Sequence, residues 1–143
     1  MLIRIGVIDG QGGGIGSTII KQLKETLGES VEIVALGTNA IATAQMLKAK
    51  ANRGASGENA IVRTAPGLDV IIGTLAIVLA DAMMGEITAA MTQAIAASPA
   101  PKLLLPLTQE NVTIVGASAS PLPHLVDDLV NIHLPQIIKR IGK

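Results

Sequence analysis

Five glycines crowd the seven positions Gly10-Gln11-Gly12-Gly13-Gly14-Ile15-Gly16, directly after Asp9. Glycine at this density serves two ends: it permits positive φ in a tight turn, and it leaves the backbone bare enough for an anion to reach its N–H groups. A short β-branched run, Leu2 to Ile8, precedes the loop; Ile15 to Leu27 follows it, with apolar residues at Ile15, Ile19, Ile20, Leu23 and Leu27. Strand, glycine loop and amphipathic helix in that order bring several N–H groups to a helix N-terminus, where a phosphate is favoured. The candidate ligand contacts are therefore Gly10, Gln11, Gly12, Gly13, Gly14, Ile15 and Gly16, and the expected partner is a small anionic or nucleotide ligand.

Spacing narrows this chemistry. The dinucleotide fingerprint G-x-G-x-x-G meets Ile15 when started at Gly10 and Ser17 when started at Gly12, and the NTPase loop needs a Lys after its last glycine, where Ser17 stands. The register that fits, Gly10-x-x-x-Gly14-Ile15-Gly16, resembles the glycine motif of the short-chain dehydrogenases/reductases. That resemblance covers only the start of the chain and implies a nicotinamide cofactor, NAD or NADP, with its pyrophosphate on the loop. Asp9 stands where that family has Thr, and its catalytic Tyr has no counterpart in a chain without tyrosine. At the end of the second apolar run, Leu36-Gly37-Thr38-Asn39 lacks the acid or Arg that reads a ribose or its extra phosphate. Thr38 and Asn39 are the ribose contacts left, and no residue is assigned a catalytic role.

The remaining polar residues give weaker signals. Asn52 to Asn59 reads as a turn and N-cap with Arg53 and Glu58 paired, the alternative being an anion nest built on Arg53. Glu58, Asp81, Glu86 and Asp9 are the carboxylates nearest apolar segments, but no local spacing makes two of them converge, so no metal site is expected. His124 and His133 are nine residues apart and cannot share a helix face as a zinc pair. An enzyme using Asp9 or Glu86 with His124 requires them in one pocket. Ser17 and Thr18 fall in the first helical turn, where they satisfy orphan N–H groups or touch a bound phosphate.

Composition excludes more than it suggests. Among 143 residues, 49% are apolar, yet there is no Phe, Tyr, Trp or Cys. Tyrosine acids, thiol nucleophiles, disulfides and aromatic platforms for a base are all ruled out. Basic and acidic residues balance at 11 each, and the charged fraction is only 15%, which argues against nucleic acid and for self-association. The broad aliphatic stripe from Leu122 to Ile141 points the same way, toward a non-enzymatic homo-oligomer as the alternative to ligand binding. Val70 to Ala80 is far shorter than the ~20 residues that cross a bilayer, and Arg4 with Asp9 does not suit a secretory leader. A soluble, cytoplasmic protein with no membrane contact is expected.

The elements that must hold the loop follow from pattern and length. After the first strand and helix, Gly28 acts as C-cap and Val31 to Leu36 is a second strand. A second helix runs from Ala40 to Ala49, Glu58 to Thr64 is a short helix with Ser56 as its N-cap, and Asp69 to Gly73 is a third strand. Leu75 to Ala82 and Ile87 to Ala97 read as helices, Lys102 to Leu105 as a fourth strand, and Leu122 to Ile141 as a helix kinked or divided at Pro135. Val112 to Gly116 reads as a fifth strand; six residues, Pro106 to Asn111, cannot hold a helical crossover, so it is expected to be antiparallel. The fold class is a single α/β domain over residues 1–143: three-layer, Rossmann-like, a mostly parallel sheet of about five strands with an antiparallel edge strand. Taken in order, Ile8 to Gly16, Ala35 to Ala40, Ala51 to Ile61, Gly85-Glu86-Ile87-Thr88 and Pro121 to Leu125 resemble the bacterial family called domain of unknown function thirty-eight forty-two. That resemblance implies a Rossmann-like fold and no activity.

Overall fold

The computed structural model describes residues 2–108 and 110–142. Strand β1 (Ile3–Asp9) is buried from Ile5 onward and ends on Asp9 itself, so the first acid belongs to the strand rather than to the loop. Helix α1 (Gly14–Leu27) buries Gly16, Ile19, Ile20 and Leu23 and stops at Gly28, whose φ of 54° suits glycine. Strand β2 (Val31–Gly37) leads to α2 (Ala40–Lys48), capped by Asn39. Then come β3 (Arg53–Ser56), α3 (Glu58–Thr64), β4 (Val70–Thr74), α4 (Ala89–Ala97) and β5 (Lys102–Leu105). The chain closes with α5 (Leu122–Asp128), a π-helical turn (Leu129–His133) and α6 (Leu134–Ile141). The wide turn sits just before Pro135, which has no N–H to donate and whose ring crowds the preceding carbonyls; one π turn relieves both problems without dividing the helix.

All five strands are parallel, in the order β3-β2-β1-β4-β5. From β1 the chain steps outward through β2 to β3, then returns to the other side of β1 for β4 and β5. The direction of winding therefore reverses between β1 and β4, and a crevice opens there at the carboxyl ends of the strands. Register aligns Asp9 with Gly37 and Gly37 with Ser56, so three loops start level on that edge.

Two aliphatic cores flank the sheet. One joins Ile5, Val7, Ile33, Ala35, Val70 and Ile72 to α1, to Met46 of α2, and to Val126, Leu129, Val130, Leu134 and Ile137 of the last helical run. The other joins Ile8, Val34, Leu36 and Ile71 to α3 and α4 through Ile61, Met91 and Ile95. The alternating side chains of each strand thus feed opposite layers. The stripe from Leu122 to Ile141 is spent inside the chain: its centre is buried, and Leu122, Leu125, Ile138 and Ile141 pack at the margin of the first core.

Three expectations are corrected. No antiparallel strand forms at Val112 to Gly116, and Gln109, in the expected connection, lies outside the described residues. Val112, Ile114 and Val115 are 40%, 44% and 96% exposed, so this β-branched run has no face to bury and nothing to pair with. The fifth strand is instead Arg53–Ser56, where a turn was expected. Its residues are all exposed, and it is recruited by backbone pairing and by Asn52, which exchanges bonds with Ile33: Ile33 N–H donates to Asn52 Oδ1 (2.8 Å) and Asn52 N–H to the Ile33 carbonyl (2.9 Å). Third, Leu75 to Ala82 is not an α-helix. The chain makes one 3-10 turn (Leu75–Val78) and places Ile77 within it, then Ala82 and Ile87, in the second core at five-residue intervals, which no α-helix can put on one face. Among the described residues no helix is long and apolar enough to cross a membrane.

Candidate functional site

Asp9 and the glycine loop sit on the β1 end of the carboxyl edge. Gly13 takes φ 74° as the residue before α1 and offers no side-chain cap, so the helix N-terminus is capped from a distance. The Asp9 carboxylate accepts from Gly10 N–H (2.8 Å) through one oxygen and from Gly16 N–H (2.7 Å) through the other. Burial pushes the Asp9 pKa up, the two N–H groups pull it back, and the nearby Glu86 charge adds to the rise. Ser17 and Thr18 do not serve N–H groups as expected. Their hydroxyls donate back to the carbonyls of Gly13 (2.7 Å) and Gly14 (3.0 Å).

The glycines divide into two groups. A Cβ on Gly13 would lie 2.7 Å from the Ala42 carbonyl oxygen, and one on Gly10 would lie 2.6 Å from Met83 Sδ and 2.7 Å from Thr38 Oγ1. Those positions are glycine because the fold leaves no room. Gly12 and Gly14 are exposed, and a Cβ there would meet nothing within 4 Å. Among the described residues no acceptor bonds the N–H groups of Gly12, Gly14 or Ile15.

Across the loop lies a carboxylate that the sequence singles out but does not place. Glu86, from the segment between β4 and α4, directs one oxygen, Oε1, at the loop. That oxygen accepts from Gln11 N–H (2.8 Å), the Thr38 hydroxyl (2.6 Å) and Asn39 Nδ2 (2.9 Å). Thr38 and Asn39, the expected ribose contacts, are therefore engaged with a protein carboxylate. Asn39 also donates to the Gln11 carbonyl (3.1 Å) and caps α2 by accepting from Ala42 N–H (2.8 Å). The Thr38 hydroxyl, then the Gln11 and Asn39 donors, hold the Glu86 pKa below its usual value despite partial burial. No spacing rule links Glu86 to Gly10 across so many residues; the signal available was only that β2 ends without an acid of its own. The loop that delivers Glu86 is bent by left-handed residues at Asp81 (φ 67°), Met83 (57°), Met84 (58°) and Gly85 (90°). Three of these are not glycine, a strain that the buried Ala82 and Ile87 on either side hold in place.

A cleft of about 550 Å³ opens at the β1–β4 reversal, lined by Asp9, Gln11 and Ile15 on one side and by Thr74, Asp81, Met83, Leu107 and Glu110 among the others. Its charged lining is entirely acidic, and Glu110 is partly engaged in accepting from Met83 N–H (3.0 Å). His124 is exposed on α5 and is not part of this lining, so the site does not unite Asp9 or Glu86 with a histidine. The Arg53–Glu58 pair does not form either. Arg53 donates to Glu32 (2.8 Å), which Arg4 also reaches (3.0 Å), while Glu58 accepts from the Thr88 hydroxyl (2.6 Å). The anion nest loses its cation to that surface pair.

No curated protein matches this chain. The family model described as Domain of unknown function (DUF3842) matches residues 4–138, a span that holds the glycine loop, the Glu86 segment and nearly all of the sheet and helices, and the chain belongs to this family.

Proposed function

We propose that this Rossmann-like domain binds a small phosphate-bearing molecule of nucleotide type, with its phosphate on the outer face of the glycine loop and its uncharged part in the β1–β4 cleft. The observation that carries the reading is the pair Gly12 and Gly14: both are exposed, neither is demanded by packing, and the free N–H groups of Gly12, Gly14 and Ile15 adjoin them. A helix N-terminus with bare backbone is suited to phosphate. The acidic lining keeps the anion at the rim, since Asp9, Asp81 and Glu110 oppose a second negative charge deeper in. A mononucleotide or sugar phosphate suits this arrangement better than NAD or NADP, because Thr38 and Asn39, the ribose contacts a dinucleotide would use, already donate to Glu86 and do not line the cleft.

The test is calorimetry and thermal-shift measurement with AMP, ATP, NAD, NADP, FAD and ribose 5-phosphate at millimolar concentration. Wild type is expected to shift with the mononucleotide or sugar phosphate, and Gly12→Ala/Gly14→Ala to fold but lose the shift. Silence of wild type toward every probe overturns the reading. The homo-oligomer alternative no longer has the aliphatic stripe in its favour, since that stripe packs on the chain's own sheet.

A further inference from the structure

We infer that the β1–β4 cleft is an amine-binding site, which seats the protonated amino group of a phosphorylated ligand between the Thr74 hydroxyl and the Asp9, Asp81 and Glu110 carboxylates. The inference rests on the phosphate reading above and refines it at the cleft end, where the group seated carries an amine. Thr74, the last residue of β4, is the observation that points to a guest. It lines the cleft and is only 4% exposed, and among the described residues its hydroxyl neither donates nor accepts a hydrogen bond. No described side-chain oxygen or nitrogen is sealed off without a partner, so this hydroxyl opens onto the cleft. A hydroxyl buried to this degree is stable only when something bonds it from the open side.

The charge around Thr74 identifies the group. Asp9, Asp81 and Glu110 line the cleft with no Lys, Arg or His among them, and among the described residues none of the three is in an ion pair. Asp9 has its two N–H partners, Gly10 and Gly16, yet burial pushes its pKa up and Glu86 adds to the rise, as fits a carboxyl with no cation beside it. An ammonium brings three donors and a positive charge to carboxylates that otherwise only repel one another. A divalent cation is the poorer fit, because among the described residues no three acids or histidines converge to ligate one. Ile15 and Leu107 leave an aliphatic wall for the carbon skeleton, and a volume of about 550 Å³ admits a sugar-sized molecule.

The experiment is calorimetry at neutral pH with glucosamine 6-phosphate, glucose 6-phosphate and N-acetylglucosamine 6-phosphate. The three probes share the phosphate and differ only at the second carbon, which carries an ammonium, a hydroxyl or an uncharged amide. Wild type is expected to bind glucosamine 6-phosphate at least about tenfold more tightly than either of the others. Asp81→Asn/Glu110→Gln is expected to compress that preference to within about threefold. Asn tolerates the left-handed backbone of Asp81, and Gln keeps an oxygen for Met83 N–H, so the double variant is expected to fold. Thr74→Val, of nearly the same shape, is expected to weaken glucosamine 6-phosphate by about tenfold. Raising salt on wild type should compress the preference as well, a measurement that stands even if a variant folds poorly. If all three probes bind wild type with equal affinity, the amine inference is overturned while the phosphate reading survives. A preference that persists in both folded variants, or in wild type at high salt, overturns it too, since the amine is then held elsewhere. If no probe binds wild type, the phosphate reading falls and the inference falls with it.

Discussion

Glu86 ties the inner side of the glycine loop, through Gln11, to Thr38 and Asn39, and Asp9 accepts from Gly10 at the loop's start and from Gly16 in the first turn of α1, whereas among the described residues no acceptor bonds the outward N–H groups of Gly12 and Gly14. The two faces belong to one loop, yet glycine serves opposite purposes in them. At Gly10 and Gly13 it admits neighbouring protein atoms; at Gly12 and Gly14 it leaves open space. A glycine-rich motif is therefore not one signal: part of it is explained by packing, and only the remainder is free for a ligand. This contrast can be broken by substituting one face at a time.

The largest effect is expected from Gly13→Ala. The new side chain would have to hold φ 74° and would press on the Ala42 backbone, which cannot retreat as a flexible side chain would. The left-handed penalty and the overpacking together are expected to destabilise the fold by about 2–4 kcal/mol in urea denaturation. Asp9→Asn comes next. An amide has one acceptor oxygen for two N–H groups, so one of the Gly10 and Gly16 donors faces another donor; the expected loss is about 1–3 kcal/mol. A neutral outcome for Asp9→Asn would mean that the cap at the start of α1 contributes little and that Asp9 is kept for the cleft.

Substitution on the outer face should do the reverse. Gly14 is the first residue of α1, it has no positive φ, and a Cβ there is unobstructed. Gly14→Ala is expected to stabilise the protein by up to about 1 kcal/mol through reduced chain entropy, and Gly12→Ala to stay within about 0.5 kcal/mol of wild type. Both should abolish the thermal shift by a phosphate-bearing probe. A stabilised Gly14→Ala variant that still binds would leave its glycine without explanation.

What could be read from the sequence divides along a similar line. β1, α1, β2, β4 and β5 were legible because each carries a run or period of apolar residues that one face must bury, with Gly28 to end α1; α3 was legible in its span, but its N-cap is Gly57 and not Ser56, which ends β3. β3 was not, because Arg53-Gly54-Ala55-Ser56 buries no side chain and is a strand only by virtue of β2 beside it. The segment Val112 to Gly116 failed in the opposite sense, with strand composition and no partner. In the site, the glycine loop with Thr38 and Asn39 was legible as one locality, since successive parallel strands end level. Glu86 was not: it arrives through a loop whose path is set by where Ala82 and Ile87 find the core, a tertiary choice that local pattern does not encode.

The smallest effect, and the most direct probe of the inner face, is the pH dependence of stability. The pKa values of Asp9 and Glu86 are shifted in opposite directions. Glu86 has its folded pKa below the usual 4.5 because of the Thr38, Gln11 and Asn39 donors. Its contribution is fully present above that value and is lost as pH falls through the folded pKa. Asp9 has its folded pKa raised above 3.8, chiefly by burial. The folded state therefore binds its proton more tightly, and stability from this group declines as pH rises from 3.8 through the raised value, then stays flat. Glu86→Gln removes the first contribution, and with it the Glu86 charge that helps raise Asp9. The difference between wild type and Glu86→Gln in urea denaturation is expected to be constant above about pH 5 and to shrink toward zero as pH falls below the Glu86 range. Its size is limited by the partial exposure of the carboxylate. A difference that grows on acidification instead would show that Glu86 enters the fold protonated, as a donor, and that the three bonds on Oε1 are not what fixes it beside Gly10.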